Sequence, residues 1–387
     1  MKLKQQPEDF QVEELTDVVP TAEGPFAFYR LEKQGWTTPD ALQAVRRRWK
    51  VNLRRLSYGG LKDRHAHTVQ FLTILGGPRK RLTHHAVCLE YLGQVAAPYT
   101  SRDIRANRFQ LTLRDLAQSA ATAAEQALEE VRAQGVSNYF DDQRFGSAGP
   151  AGRFVARAIV EGRHEEALRL ALAEPYQHDR AAQKREKAIL RGCWGNWAVC
   201  KERLPRGHAR SLVDYLSHHP DDFRGAIARL RPDLRGLYLS AYQSHLWNRM
   251  LARWLTEHCR PEQILAVGLR LGEVPVHRGL DASQLAALAG LRLPLPSARL
   301  QLDATDAGVV LMDAVLREEG LEREQLKLKG FREMFFSKGD RAALCVPDKL
   351  SHEVQADERH PGKRKLLLAF ELPRGCYATL IVKRITT

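Results

Sequence analysis

Apolar and polar positions alternate through the N-terminal third of the chain, then give way to a longer period. Gly24–Lys33 (GPFAFYRLEK) alternates as a strand does. Thr38-Pro39 then opens DALQAVRRRWKV as a helix, with a threonine cap and proline at its first position. His67–Gly77 (HTVQFLTILGG) is a β-branched run closed by Gly76-Gly77, and Asn107–Leu116 (NRFQLTLRDL) repeats with period two. Ala117–Ala133 is rich in strong helix formers, and Gly135 follows where a C-terminal cap belongs.

Between Arg157 and Arg332 the pattern is mostly helical. Its longest segment places Leu239, Tyr242, Leu246, Met250 and Trp254 at helical spacing. The C-terminal RKLLLAFELPRGCYATLIVKRI returns to two β-type runs joined by Pro373-Arg374-Gly375. Such a strand pair would most simply rejoin the N-terminal sheet, which makes the middle an insertion.

With 387 residues, 44% of them hydrophobic and 27% charged, the chain can bury real cores, so wholesale disorder is excluded. A net charge of +14, concentrated in Arg46–Arg55, Gly77–Arg81 and Ser101–Arg108, favours a polyanionic partner such as nucleic acid. Six cysteines without a C-x-x-C pair predict neither a cysteine-built zinc site nor a disulfide framework. No apolar leader follows Met1 and no apolar run is long enough for a membrane span, so the expectation is a soluble, cytoplasmic protein.

Candidate chemistry centres on YGGLKDRHAHTVQ (Tyr58–Gln70), where Asp63 is a lone acid among Lys62, Arg64, His65 and His67. Three readings are open. Asp63, His65 and His67 alternate and could ligate a metal, although Gly59-Gly60 places a turn there and the neighbouring cations oppose a divalent ion. Alternatively, the cations keep Asp63 ionised as a nucleophile or base. Or Asp63 is half of a salt bridge. Neither a phosphate-binding glycine loop nor a G-x-S-x-G elbow is present in the sequence.

GLKDRHAHTVQ resembles the signature G-x-K-D-x-x-A-x-T-x-Q of the TruD family of pseudouridine synthases, matched at Gly60, Lys62, Asp63, Ala66, Thr68 and Gln70. PEDFQVEE (Pro7–Glu14), ANRFQLTLRD, NYFDDQRFG (Asn138–Gly146), LSAYQSHLWN (Leu239–Asn248) and LPRGCYATLIVKRI (Leu372–Ile385) resemble further family segments in the same order. Ala106 and Cys376 depart from it, standing where glycine and serine are frequent.

The resemblance implies an α+β fold. A pseudouridine-synthase-like catalytic domain with a mixed, largely antiparallel sheet is expected from residues 1–160 and 337–387, with a mostly helical α+β insertion domain at 161–336. It further implies isomerisation of uridine to pseudouridine in tRNA, at uridine 13 of the D arm, with Asp63 as the catalytic carboxylate and no metal or cofactor. Phe10, Phe140 and Tyr377 stand at positions resembling the family's pocket aromatics. Asn138 is suited to the uracil edge or to a loop backbone, and Lys4, Lys62 and Arg144 to phosphates or to holding Asp63 ionised. No obligate protein partner is evident. The rival expectation is a non-catalytic RNA-binding or RNA-chaperone protein of the same fold, which would not need Asp63.

Overall fold

The alternating segments of the N-terminal third pair, in the computed structural model, as strands of one ten-stranded sheet. The structure describes every residue except Pro150, Ala151, Gln177, His178, Leu302 and Ala304. In chain order the strands are β1 (Lys2–Leu3), β2 (Phe10–Thr16), β3 (Phe26–Lys33), β4 (Leu56–Tyr58), β5 (His67–Leu75), β6 (Leu82–His84), β7 (Val87–Val95), β8 (Ile104–Leu116), β9 (Asp348–Ala356) and β10 (Arg364–Pro373). They run in the order β9-β10-β8-β2-β5-β3-β7-β6, with β1 on β8 and β4 on β5. Among the described residues of this sheet only the β2–β5 pair is parallel, so the sheet is mixed and largely antiparallel, within an α+β fold.

Period-two alternation decides what each sheet face buries. Ala27, Tyr29 and Leu31 of β3, with Leu72 and Ile74 of β5, meet Ala41, Leu42 and Val45 of α1 (Thr38–Trp49). Each large apolar side chain so buried contributes about 1.5–3 kcal/mol. The cap of α1 is Thr37, whose hydroxyl accepts from the Asp40 amide at 3.2 Å, and not the expected Thr38, which is fully buried and used elsewhere. Helix α2 (Gln118–Gln134) buries Ala121, Ala124, Leu128 and Val131, and ends at Gly135 with φ of 69°, a positive value that glycine adopts without steric strain.

The C-terminal strand pair is corrected. The first run is β10, but the second is a helix, Ala378–Ile385. Its β-branched residues favour a strand, yet Ala378, Ile381, Val382 and Ile385 fall at i, i+3, i+4 and i+7 and are buried, and the helix packs against α2. Tertiary packing overrides propensity there.

The chain divides into two compact units, Met1–Val136 with Cys345–Thr387, and Ser137–Leu344. The expected boundary at 160 is too late, because Phe140 and Phe154 pack against Trp247 and Tyr242 inside the second unit. The expected return at 337 is too early, since Asp340–Ala342 pairs with Arg292–Pro294. The second unit is mostly helical around α3 (Pro232–His258), where Leu239, Tyr242, Leu246 and Met250 are buried as the spacing requires. Leu251 and Leu255, rather than Trp254, complete that face. Among the described residues its strands include two small antiparallel pairs, Ile264–Leu269 with Gly272–His277 being the longer.

Against expectation, one cysteine pair is joined. Cys193 ends one helix, Cys200 lies on the next, Trp197–Arg203, and the short turn between them sets the two side by side in a disulfide. No described helix is long and apolar enough to cross a membrane.

Candidate active site

Residues 59–66 form a loop between β4 and β5. Gly59 lets the loop pass Ile104, whose Cδ1 would lie 2.5 Å from an added Cβ. Behind the loop, buried Thr38 donates to Gln70 Oε1 at 2.8 Å and accepts from the Lys62 amide at 3.0 Å. Gln70 in turn donates through Nε2 to the Gly60 carbonyl at 3.1 Å. Two side chains from α1 and β5 thereby satisfy backbone groups on the loop, and a loop so tethered holds its side chains in one place.

Asp63 is presented by this loop with 22% of its side chain exposed. Oδ1 accepts from the His65 amide at 2.9 Å, an Asx turn that fixes the carboxylate plane. Oδ2 is paired with the Lys4 ammonium. Burial pushes the carboxyl pKa up, but the Lys4 and His65 hydrogen bonds outweigh it, and the net shift is downward. Asp63 is therefore an accessible, oriented carboxylate, ionised at neutral pH.

Lys4 reaches Asp63 from a left-handed backbone with φ of 60°, a conformation that costs about 1–2 kcal/mol in a non-glycine residue. Its ammonium lies 4.0 Å from the centroid of the Phe10 ring. Phe10 is 4% exposed and meets Phe109 edge-on. Phe10 thus seats the lysine that holds the carboxylate.

Lys62 does not keep Asp63 ionised, contrary to one sequence reading. It points to Glu14, a wholly buried carboxylate, at 2.7 Å, and donates to Asn107 Oδ1 at 3.0 Å. Glu14 also accepts from the Phe71 amide, so this pair ties β2, β5, β8 and the loop together. With its ammonium so engaged and its side chain 11% exposed, Lys62 is a poor phosphate ligand. Arg64 donates to the Gly35 carbonyl, and His67 faces Glu32 at 2.8 Å. Asp63 and His67 therefore have different partners and do not form the ligand trio that their alternation suggested.

In the second unit the predicted residues form another group. Asn138 uses its side chain on the protein itself, donating to the Ala342 carbonyl at 2.9 Å and accepting from Arg341 at 2.6 Å. Arg341 also donates to the Asn138 and Tyr139 carbonyls and lies over the Phe140 ring at 4.2 Å. Asn248 of α3 accepts from the Phe140 amide and donates to its carbonyl, both at 2.8 Å. Trp247 packs edge-on against the ring. Arg144 lies 5.2 Å from that ring and, among the described residues, makes no ion pair, with its buried Nε lacking a hydrogen-bond partner.

Tyr377 immediately precedes the Ala378–Ile385 helix, in the same unit as Asp63. Sequence reading missed Glu14, Thr38, Asn248 and Arg341 as functional positions. Glu14 and Asn248 sit inside quoted family segments, which was their available signal; Arg341 had none.

The profile described as tRNA pseudouridine synthase D (TruD) matches residues 1–268 and 281–385. A Methanococcus maripaludis protein named "Probable tRNA pseudouridine synthase D 1" is 28% identical over 392 residues, covering 100% of this chain and 99% of the relative. The tRNA pseudouridine synthase D of Leptospira interrogans is 28% identical over 394 residues, covering 99% and 95%. A crystal structure described as the "Putative tRNA pseudouridine synthase D (TruD) from Methanosarcina mazei" superimposes with a TM-score of 0.72 at 27% identity, over 99% of this chain and 93% of that one. A match over nearly the whole chain, on a shared fold, establishes that this protein belongs to the TruD family.

Proposed function

We propose that this protein isomerises uridine to pseudouridine in tRNA, at uridine 13 of the D arm, with Asp63 as the catalytic carboxylate. The observation that carries the reading is the state of Asp63, which is ionised by Lys4, oriented by the His65 amide and still open to solvent. The reaction breaks the ribose C1′–N1 bond, turns the base and forms C1′–C5; the proton leaving C5 is matched by one gained at N1. Positive character develops at C1′ as the first bond breaks, and a fixed carboxylate stabilises it or bonds to it. A carboxylate has about four lone-pair sites, so Asp63 can do this with Lys4 and the His65 amide in place.

The target uridine must leave its stack to expose C1′, and an aromatic face can receive it. Phe140 and Tyr377 are our candidates, with Arg144 for an adjacent phosphate. The RNA backbone has a further candidate site in an open depression of about 660 Å³ lined by Trp36, Arg47, Arg48, Arg64 and His84. Arg47 and Arg48 make no ion pair among the described residues, whereas Arg108 and Arg114 are engaged by protein carboxylates. Arg47 and Arg48 are therefore our candidates for phosphate contacts, and Arg108 and Arg114 are read as holding the fold.

Unmodified tRNA incubated with the purified protein, without added cofactor, should gain pseudouridine at position 13. A transcript carrying cytidine there should gain none. Modification elsewhere in that transcript would overturn the assignment of position.

A further inference from the structure

Strand β3 sends Ala27, Tyr29 and Leu31 into the core beneath α1, and Lys33 continues the same alternation. A lysine at that parity must bury its charge, and Lys33 is 0% exposed. Its ammonium donates to the Trp36 carbonyl at 2.9 Å and to the Asp63 carbonyl at 2.9 Å, with the Lys62 carbonyl at 3.4 Å. Lys33 makes no ion pair among the described residues. A bare buried cation is expensive, so its retention under the loop calls for a reason beyond packing.

We propose that Lys33 is a positioning residue, whose ammonium clamps the Asp63 carbonyl to the turn before α1 and so fixes where the Asp63 carboxylate meets the ribose. Three donors diverge from one nitrogen towards carbonyls on two segments, an arrangement neutral lysine cannot supply because its lone pair would face an oxygen. The clamp rests on the reading of Asp63 as the catalytic group.

The clamp carries a pH signature. Burial presses the Lys33 pKa down to about 8; Asp63 opposes that shift and Lys62 adds to it, both facing the ammonium from the loop. Activity should therefore fall as pH rises through that value. Global stability should not follow. Between the folded pKa and the ordinary lysine value the unfolded chain holds more protons on this group, so its contribution to folding becomes more favourable as pH rises.

The test compares native protein, Lys33→Met and Asp63→Asn on unmodified tRNA from pH 6 to about pH 9.5. Expected for the native protein is an alkaline limb in kcat near the folded pKa of Lys33, with no parallel loss of thermal stability. Lys33→Met should lose about 10²-fold in kcat at neutral pH, the cost of misplacing a reacting group by about 1 Å, keep KM for tRNA, and show no limb. Native kcat in that variant, with the limb retained, would overturn the clamp while an inactive Asp63→Asn left the carboxylate's role standing. An active Asp63→Asn would remove the underlying reading instead. Amide hydrogen exchange at residues 62–65 reports the clamp without catalysis, and should be faster in Lys33→Met. If that variant does not fold, a flat native kcat profile up to about pH 9.5 overturns the proposal by itself.

Discussion

The groups around Asp63 and around Phe140 hold their key side chains by different physics. Asp63 is set by charge, with Lys4 on one oxygen, a backbone amide on the other and a second buried ion pair, Lys62 with Glu14, beneath the loop. Phe140 is set by neutral hydrogen bonds, its amide and carbonyl both held by Asn248, with arginines over its ring. The first arrangement maintains a protonation state and responds to pH. The second maintains the direction of a face and responds to lost packing.

The comparison is broken most severely at Asn248. Asn248→Ala leaves the buried Phe140 amide and carbonyl without partners at about 1–3 kcal/mol each, so chemical denaturation should show a loss of about 2–6 kcal/mol. No change in stability would mean that the ring is held by something else. Next is Lys4→Met, which removes a hydrogen bond to a charged group worth about 1.5–3 kcal/mol and should lower kcat by about 10- to 10²-fold. The sign with pH is definite. The Asp63 pKa lies below its ordinary value, so its ionised form persists as pH falls through about 4. Loss of Lys4 removes one cause of that lowering, so the acid limb of kcat should move to higher pH; an unmoved limb would assign the low pKa to the His65 amide alone.

The smallest effect is expected away from both groups. Arg47→Ala should leave kcat unchanged, weaken tRNA binding evenly across sequences and reduce the salt-dependence slope by about 1. An unchanged slope would take the Arg47 depression out of the RNA path.

The strands and long helices were legible because their residues repeat with one period. Ala27, Tyr29 and Leu31 alternate, and Leu239, Tyr242, Leu246 and Met250 recur at helical spacing. The last helix was not, because Ile381, Val382 and Ile385 look like strand residues until α2 is packed against them. At the site, the motif around Asp63 was legible, but its partner was not. Lys62 and Arg64 are adjacent in sequence, whereas the cation that arrives is Lys4, brought by the pairing of β1 with β8 and of β2 with β5. Long-range ion pairs have no local signature. Lys33 was hidden for a related reason, since a charged residue closing an alternating strand reads as its solvent-facing end.

The account turns on the Asp63 carboxylate, and Asp63→Asn tests it with little change in shape. The variant should fold, bind unmodified tRNA with affinity close to native, and form no detectable pseudouridine under conditions where the native protein completes the reaction. Pseudouridine formed by Asp63→Asn at the native rate would contradict the account.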